Sequence, residues 1–168
     1  VPTGSGKTYA AVMGPIARML QTANELSGVR LLYITPLRAL SRDLAVALKQ
    51  PIEAMGWPLR VGIRNGDTPS AERSRQLRKP PEILITTPES LCVLLAGRHC
   101  EALFNTLETV ILDEWHELIG SKRGIQAELA LSWLRQQRPE LQTWAISATI
   151  GNLEESARHA LGEGGEPY

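Results

Sequence analysis

The stretch Pro2–Thr8 constrains the fold of this chain more than any other part of its sequence. It reads Pro-Thr-Gly-Ser-Gly-Lys-Thr and fits the phosphate-binding pattern G-x-x-x-x-G-K-[ST], except that Val1 stands where the pattern has its first Gly. Gly4 and Gly6 have no Cβ, so the backbone amides can converge on a phosphate at the start of the following helix. The stretch therefore predicts a phosphate-binding loop that leads into a helix.

The two residues after Gly6 supply chemistry that a simple turn does not need. Lys7 provides a mobile ammonium for the β- and γ-phosphates of a nucleotide, and the Thr8 hydroxyl can ligate Mg²⁺. A Gly-Ser turn before a helix is the alternative, and it gives no reason for Lys-Thr at this place. Because such a loop normally follows a strand, we expect that strand and the adenine-contacting residues upstream in a longer protein. The predicted nucleotide contacts are Thr3, Gly4, Ser5, Gly6, Lys7 and Thr8.

Length and composition indicate one globular domain without a membrane segment. The chain has 168 residues, of which 43% are hydrophobic, and this is enough for a substantial core. Its 18 basic and 18 acidic residues leave no net charge, so a polyanion would have to bind at a local patch. No apolar run approaches the ~20 residues of a spanning helix. Cys92 and Cys100 lack a C-x-x-C spacing and are expected to be reduced thiols of a cytoplasmic protein.

Strands that alternate with helices predict an α/β fold, a three-layer domain with a parallel sheet and helices on both faces. Short apolar runs predict strands at 31–34, 59–63, 83–85, 109–112 and 142–146. Helical patterns occupy 7–24, 37–55, 69–78, a segment that opens at Pro88, a segment around 125–134, and 152–161. Right-handed crossovers place the carboxyl ends of the strands at one edge, where open α/β sheets bind ligands. The polar clusters that follow the predicted strands would therefore meet at that edge.

Single residues within the predicted helices give further expectations about packing. Gly14-Pro15 predicts a kink in the first helix, and Pro51 predicts a break or restart in the second, because an internal proline removes a hydrogen bond and clashes with the preceding turn. Trp115 is expected to pack in the core rather than to stack on a base. One stripe at helical spacing, together with two leucines that widen its apolar surface, is also expected in the core: Ile125, Leu129 and Trp133, with Leu131 and Leu134. One basic set is interpreted as a solvated face: Arg73, Arg75, Arg78 and Lys79.

An acidic pair after the fourth predicted strand complements the phosphate loop. Asp113 can hold Mg²⁺ through its water shell, and Glu114 can orient and deprotonate an attacking water. Hydrolysis of a γ-phosphate needs little beyond positioning and charge neutralisation. Alone, the pair is equally compatible with a solvated turn or a helix cap. Together with Lys7-Thr8 it predicts a nucleotide hydrolase.

Five short motifs follow one another in a fixed order along the chain. After the phosphate loop come Thr-Pro-Leu-Arg-Ala-Leu at 35–40, Thr-Thr-Pro-Glu-Ser at 86–90, Asp-Glu-Trp-His at 113–116 and Ser-Ala-Thr at 147–149. In this order the chain resembles the superfamily 2 helicases, as a first RecA-like domain, over nearly its whole length. Three runs resemble the large helicase-related (Lhr-like) proteins, and among them the ligase-associated DEXH-box branch: Asp-Glu-Trp-His-Glu-Leu, Ser-Lys-Arg-Gly at 121–124 and Arg-Asn-Gly-Asp-Thr at 64–68. Val1 and Asn65 depart from that pattern.

The resemblance implies a role for each residue that matches a family motif. It makes Glu114, Lys7 and His116 the catalytic residues, with Thr8 and Asp113 at the metal. His116 would link hydrolysis to two coupling residues, Ser147 and Thr149. Hydroxyls, arginines and helix-start amides bind phosphates without reading bases. The predicted contacts with one nucleic-acid backbone are thus Thr35, Pro36, Arg38, Arg64, Gly66, Thr87, Pro88 and Glu89. The alternative for Arg38 and Arg64 is a solvated surface. The alternative for His116 is a histidine in a surface loop.

The implied function is that of an ATP-dependent motor that moves 3′ to 5′ along single-stranded DNA in DNA repair. We expect the RecA-like domain at 1–161 and the start of a linker to a second motor domain at 162–168. That second domain would bring an arginine to ATP, so the chain alone is expected to be nearly inactive. A repair ligase and nuclease are further expected partners. An RNA helicase or remodeller and a small-molecule kinase remain open, whereas Lys7 and Glu114 disfavour a non-catalytic binding module.

Overall fold

A parallel sheet of five strands forms the centre of the computed structural model, which describes residues 5–22 and 28–147. The strands are β1 (Leu31–Ile34), β2 (Val61–Arg64), β3 (Ile83–Thr86), β4 (Thr109–Leu112) and β5 (Gln142–Ala145). Their spatial order is β2-β3-β1-β4-β5, and every neighbouring pair is parallel. The predicted α/β fold is confirmed. The carboxyl ends of all described strands lie at one edge, called the carboxyl edge below.

Helices connect the strands and cover both faces of the sheet. They are α1 (Ser5–Gln21), α2 (Arg38–Ala54), α3 (Ser70–Arg78), α4 (Pro88–Leu95), α5 (Cys100–Phe104), α6 (Trp115–Leu118) and α7 (Lys122–Gln137). The short helices α5 and α6 were not predicted, whereas Pro88 occupies the first turn of α4 as expected. The predicted helix at 152–161 lies outside the described residues. Within the described part of the chain, no helix is long and apolar enough to cross a membrane.

The core consists of two apolar layers separated by the sheet. Side chains of β1 alternate between the layers, as expected for a strand that is buried on both faces. Leu31 and Tyr33 pack in the layer formed with α1 and α2, and Leu32 and Ile34 pack in the layer formed with α4 and α7. All four side chains are fully buried. The layers hold β1 rigidly at the middle of the sheet, and with it the start of the segment that follows at Thr35.

Helix α2 passes through Pro51 without a break, so the predicted interruption is wrong. The missing amide of Pro51 leaves the carbonyl of Ala47, four residues earlier, without its usual helical donor. The hydroxyl of Tyr9, on α1, donates to this carbonyl at 2.9 Å. A side chain from a neighbouring helix therefore replaces the lost hydrogen bond. Helix α1 is likewise continuous through Pro15.

The predicted core face of α7 is confirmed in part, because Leu131 and Leu134 are fully buried. Ile125 is 58% exposed and Leu129 is 66% exposed, so the expectation that they lie in the core is wrong. Trp133 is partly buried and does pack against the core. The buried face also carries small residues, which let α7 approach α4 closely. A search for large apolar residues at helical spacing passes over such glycines and alanines. The members of this buried face are Gly124, Ala127, Ala130, Leu131 and Leu134.

β2 ends one residue later than predicted, and this changes the setting of Arg64. The strand spans Val61–Arg64 rather than 59–63, and Arg64 pairs in register with Thr86 of β3. The Thr86 hydroxyl donates to the Arg64 carbonyl at 2.7 Å. This hydrogen bond extends the ordered pairing to the carboxyl edge, so the following loop begins at Asn65.

Candidate functional site

The acidic segment after β4 is fixed by backbone hydrogen bonds to both neighbouring strands. The amide of Asp113 donates to the carbonyl of Ile34, at the end of β1, at 2.8 Å. The amide of Trp115 donates to the carbonyl of Ile146, just after β5, at 3.0 Å. Trp115 itself is fully buried, as predicted for a packing residue. The two carboxylates between these anchors are thus held at the centre of the carboxyl edge.

Asp113 lies half-buried beside groups that suit a divalent cation. Burial raises the pKa of Asp113 and the nearby Glu114 charge raises it further, against an opposing effect of the Tyr33 hydroxyl. A carboxylate in this position gains stabilisation from a bound cation. Thr8 is also half-buried and lies near the same Tyr33 hydroxyl. Among the described residues no group of three or more His, Cys, Asp or Glu forms a metal cage. Oxygen donors of this kind fit Mg²⁺, which proteins bind through one or two carboxylates together with substrate phosphates.

Glu114 has a strained backbone at this edge. Its φ of 47° and ψ of 44° lie in the left-handed region, which no other described non-glycine residue enters. Such a conformation costs on the order of 1–3 kcal/mol and persists where its surroundings impose it. The Glu114 amide donates to Asp113 Oδ1 at 3.0 Å. Its Oε2 is buried and has no hydrogen-bond partner among the described residues. The turn therefore holds a carboxylate oxygen that no hydrogen bond of the described residues occupies, although the ring of His116 lies 3.3 Å away.

Three segments that are far apart in sequence meet around Ser147. The Ser147 hydroxyl forms a hydrogen bond of 2.9 Å with Nδ1 of His116. The same Nδ1 lies 3.3 Å from Oε2 of Glu114. The ammonium of Lys7, in the first turn of α1, donates to the Ser147 carbonyl at 3.4 Å. The phosphate-loop lysine, the acidic segment and the residue after β5 are therefore in direct contact. Thr3, Gly4 and Thr149 lie outside the described residues.

The predicted nucleic-acid contacts next to β1 and β3 are mostly buried. Thr35, Pro36, Thr87 and Pro88 are all classed as buried, and Thr35 is 0% exposed. The Thr35 amide donates to the Thr86 carbonyl at 3.0 Å, but the Thr35 hydroxyl has no hydrogen-bond partner within the described ranges. The Thr87 hydroxyl shares a hydrogen bond of 3.2 Å with the Ser90 hydroxyl. These side chains therefore pack beneath the carboxyl edge and contribute little to its exposed surface.

Arg38 is the predicted nucleic-acid contact that reaches solvent most clearly. Its side chain is 52% exposed and its Nη1 lies 3.5 Å from Oδ1 of Asp67. A Cβ at Gly66 would lie 2.8 Å from the Arg38 guanidinium carbon. Glycine at position 66 thus lets the guanidinium lie across the loop after β2. The result is a loosely paired cation at the carboxyl edge.

Arg73 organises the loop after β2, so its interpretation as part of a solvated face is wrong. It donates to the carbonyls of Thr68 at 2.7 Å, Gly66 at 2.9 Å and Asn65 at 3.2 Å. Arg64 is partly buried and donates from Nη1 to the Arg73 carbonyl at 3.0 Å. Burial, and then the charge of Arg73, lower the pKa of Arg64. Arg64 and Arg73 therefore turn inward because their guanidinium groups donate to backbone carbonyls, whose positions cannot be read from a sequence.

Glu89, at the first turn of α4, forms an ion pair with Arg123, which the predicted site did not include. Burial opposes ionisation, yet the hydrogen bond from Arg123 lowers the pKa of Glu89. Arg123 belongs to the run at 121–124, in which Ser121 and Gly124 also have structural roles. The Ser121 hydroxyl accepts from the Gly124 amide at 3.1 Å and caps α7. A Cβ at Gly124 would lie 2.0 Å from the Leu118 carbonyl oxygen, so only glycine fits. The Ser-Lys-Arg-Gly run entered the sequence analysis only as a family resemblance, with no role assigned to Arg123.

Gly124→Ala is expected to lower the free energy of unfolding by at least about 2 kcal/mol, because its methyl group would overlap backbone that cannot turn aside. Gly14→Ala is the matched control. Position 14 is exposed within α1, and a Cβ there has no atom within 4 Å apart from its chain neighbours and the backbone of its own helix. It is expected to change stability by less than about 1 kcal/mol, because the helix propensity of alanine is offset by the contact of its Cβ with the ring of Pro15. Urea unfolding measures both changes. Equal effects at the two positions would contradict the close approach of α6 and α7.

Comparison with known proteins places these motifs in a family. Residues 1–156 match the model of the DEAD/DEAH box helicase family. The chain is 38% identical over 173 residues to the ATP-dependent helicase Lhr-Core of Methanothermobacter thermautotrophicus, with 96% of this chain and 20% of that protein covered. It is 41% identical over 182 residues to the Lhr helicase/uracil glycosylase of Escherichia coli, with 96% of this chain and 12% of that protein covered.

A solved structure gives the same result. The structure of Mycobacterium smegmatis helicase Lhr bound to ssDNA and AMP-PNP matches with a TM-score of 0.80 and 36% identity, over 97% of this chain and 22% of that one. The chain thus spans a fifth or less of the length of the two curated relatives. These are Lhr-type proteins, and the ligase-associated branch stays a prediction. Because the family match extends over residues 1–156 and the fold agrees with that of a solved relative, the chain belongs to the DEAD/DEAH box helicase family.

Proposed function

We propose that this chain is the first motor domain of an ATP-dependent helicase or translocase that moves along single-stranded DNA. One observation carries the proposal: the ammonium of Lys7 contacts the Ser147 carbonyl while the Ser147 hydroxyl contacts His116. The phosphate loop and the acidic segment thus share one partner at the end of β5. A change in the nucleotide at Lys7 can reach His116 through this residue. The similar M. smegmatis protein is bound to ssDNA and AMP-PNP, which supports DNA as the track.

Hydrolysis would use the groups that converge at the carboxyl edge. The loop amides and Lys7 bind the β- and γ-phosphates of ATP, and Thr8 and Asp113 hold Mg²⁺. The metal supplies charge neutralisation on the phosphates when it is bound. Glu114 would accept a proton from the attacking water. Its buried Oε2 makes no hydrogen bond among the described residues and lies 3.3 Å from Nδ1 of His116. A change at the hydrolysis site would then be transmitted from His116 to Ser147 through the hydrogen bond between them.

Nucleic-acid binding would be led by Arg38 and by backbone amides rather than by the buried threonine side chains. Arg38 is the exposed cation at the edge, and Gly66 keeps the surface beside it open. The first turn of α4 follows Thr87 and offers amides that have no helical acceptor. Contacts of this kind hold the phosphate backbone and carry no base preference. They account for movement along a strand without sequence recognition.

The finer parts of the proposal concern the whole protein. A second RecA-like domain, joined through a linker that starts at 162–168, would close over ATP and supply an arginine to the site. An arginine supplied in this way changes phosphoryl transfer by ~10³–10⁵-fold, so the domain at 1–161 alone would turn over ATP very slowly. A role in DNA repair, together with a ligase and a nuclease, rests on the resemblance of the motifs alone.

The test is steady-state ATPase of the full-length protein with single-stranded DNA and RNA of matched length and sequence. Stimulation by DNA well above that by RNA is expected. Stimulation by RNA that equals or exceeds that by DNA would contradict the assignment of DNA as the nucleic acid along which the protein moves. It would favour an RNA helicase or remodeller. Turnover that needs neither nucleic acid, with a phosphorylated small molecule as product, would identify a kinase and end the proposal.

Arg38→Gln is expected to weaken binding to single-stranded DNA and to reduce by about one the slope of log affinity against log salt concentration, because one phosphate contact is lost. Arg78→Gln removes the same charge from the exposed end of α3, away from the carboxyl edge, and is expected to leave the slope unchanged. Fluorescence anisotropy with a labelled oligonucleotide at several salt concentrations measures both. The assignment of Arg38 fails if the two variants behave alike.

A further inference from the structure

Tyr33 carries a hydroxyl where the fold asks only for an apolar side chain. It lies in β1, between Leu32 and Ile34, and is 0% exposed. Its side chain packs in the core layer of α1 and α2, so it extends from the middle of the sheet toward the helix that follows the phosphate loop. A phenylalanine would fill the same apolar space. The hydroxyl therefore needs an explanation that packing does not provide.

The polar neighbours of this hydroxyl are the two proposed metal-site residues. Tyr33 pairs in register with Ile111 of β4, two residues before Asp113, so the side chains of Tyr33 and Asp113 lie on the same face of the sheet. The hydroxyl interacts with both Asp113 and Thr8. A phenolic hydroxyl has one proton to donate and a lone pair to accept with, so it can serve both residues. It makes no hydrogen bond of ordinary length and angle with any described residue. A buried hydroxyl in that condition costs free energy, and native proteins seldom keep one without a use.

The surroundings of Asp113 show what that use is. Its backbone amide is tied to the Ile34 carbonyl at 2.8 Å, the residue directly after Tyr33. Its Oδ1 accepts from the Glu114 amide at 3.0 Å. The main chain of Asp113 is therefore fixed, and the hydrogen bond from the Glu114 amide leaves its carboxylate free to accept from a second donor. A second donor on the β1 side would complete its orientation.

We propose that Tyr33 is a positioning residue that orients the Asp113 carboxylate and the Thr8 hydroxyl toward Mg²⁺–nucleotide. This inference rests on the proposed function, because it assigns a role within the same metal site. Groups that hold metal ligands in place typically change metal affinity by 10–100-fold when they are removed. The hydroxyl makes no hydrogen bond of ordinary geometry with a described residue, and in this role it donates to the Asp113 carboxylate at the metal site. Tyr33 touches neither nucleotide nor water in this role.

The test is Tyr33→Phe in the full-length protein, with binding of a fluorescent non-hydrolysable ATP analogue as the readout. We expect the Mg²⁺ concentration for half-maximal binding to rise by about 10-fold or more. Binding of the analogue in EDTA should not change, because the phenolic oxygen does not contact the nucleotide. Thermal unfolding without ligand should occur at the same temperature or a higher one, since the variant removes an unsatisfied buried group.

Tyr9→Phe is the matched control, because it deletes the same atom from the same type of residue on the same side of the sheet. The Tyr9 hydroxyl is satisfied, since it donates to the Ala47 carbonyl at 2.9 Å. Its loss should lower the unfolding temperature and leave the Mg²⁺ requirement unchanged. The two variants are therefore expected to show opposite patterns. No single effect on overall stability produces both.

Each outcome bears on a different claim. Normal Mg²⁺ dependence in Tyr33→Phe, with the wild-type protein binding the analogue, overturns the role of Tyr33 and leaves the proposed function intact. A Tyr33→Phe protein with a lowered unfolding temperature and an unchanged Mg²⁺ requirement shows a structural hydroxyl and also overturns it. A wild-type protein that binds no analogue at any Mg²⁺ concentration overturns the proposed function and this inference together.

Discussion

Lys7→Ala is expected to reduce ATP turnover by at least ~10²-fold and to weaken ATP binding, because it removes the cation that faces the β- and γ-phosphates. Lys7 is exposed, and the hydrogen bond that its ammonium makes in this structure is a long contact of 3.4 Å to the Ser147 carbonyl. The fold therefore loses little when the side chain is cut back. A loss of activity without a loss of stability is the expected signature.

Steady-state ATPase and titration of a fluorescent ATP analogue, both in the full-length protein, measure the two effects. Lys49→Ala is the control, because position 49 is an exposed lysine of α2 away from the carboxyl edge. It removes the same charge and is expected to leave turnover unchanged. If Lys7→Ala retained normal ATPase, the assignment of residues 2–8 as a phosphate loop would have to be given up.

The strands and the edge at which the polar motifs meet could be predicted because their causes are local. A short apolar run such as Leu31–Ile34 has to be buried on both faces, and parallel neighbours then bring all strand ends to one side. The contact between His116 and Ser147 is a consequence of that topology, since each residue closely follows the end of a neighbouring strand. Motifs that follow different strands in the sequence therefore lie next to one another at the carboxyl edge.

Features that depend on a partner elsewhere in the chain were missed. The continuity of α2 through Pro51 depends on Tyr9 of another helix, and no pattern within α2 shows that donor. The inward turn of Arg73 depends on loop carbonyls, which every residue has and no sequence displays. The buried face of α7 depends on Gly124 and small alanines that permit close packing, so the larger Ile125 was the wrong guide.

The expected nucleic-acid surface shows a third kind of difference. The family resemblance implied that Thr35 and Thr87 grip phosphates, yet both side chains are buried at the ends of their strands. Short β-branched residues in such positions are held by backbone groups of the adjoining strand, as the Thr35 amide is by Thr86. Their contribution to binding would thus come from the shape of the edge. Arg38, which is long enough to leave the edge, keeps its predicted exposure.

Glu114→Gln is expected to bind Mg²⁺–ATP normally and to hydrolyse it ~10²–10⁴-fold more slowly, because the amide cannot accept the proton of the attacking water. The change is nearly isosteric, and Oε2 of Glu114 has no hydrogen bond to lose among the described residues. Single-turnover hydrolysis in the full-length protein separates the chemical step from binding. Glu117→Gln, an exposed neighbour on α6, removes an equal charge and should have little effect.

Glu114→Gly distinguishes a catalytic carboxylate from a structural one. Glycine accepts the φ of 47° at this position without the strain that a Cβ causes, so the free energy of unfolding should stay the same or rise by up to about 1 kcal/mol. Hydrolysis should nevertheless fall as far as in the glutamine variant. Unfolding by urea and single-turnover kinetics measure the two quantities independently. A protein that is more stable and inactive would show that the strained turn is kept for chemistry, whereas a glycine variant that unfolds more easily would show that the Glu114 side chain holds the fold together.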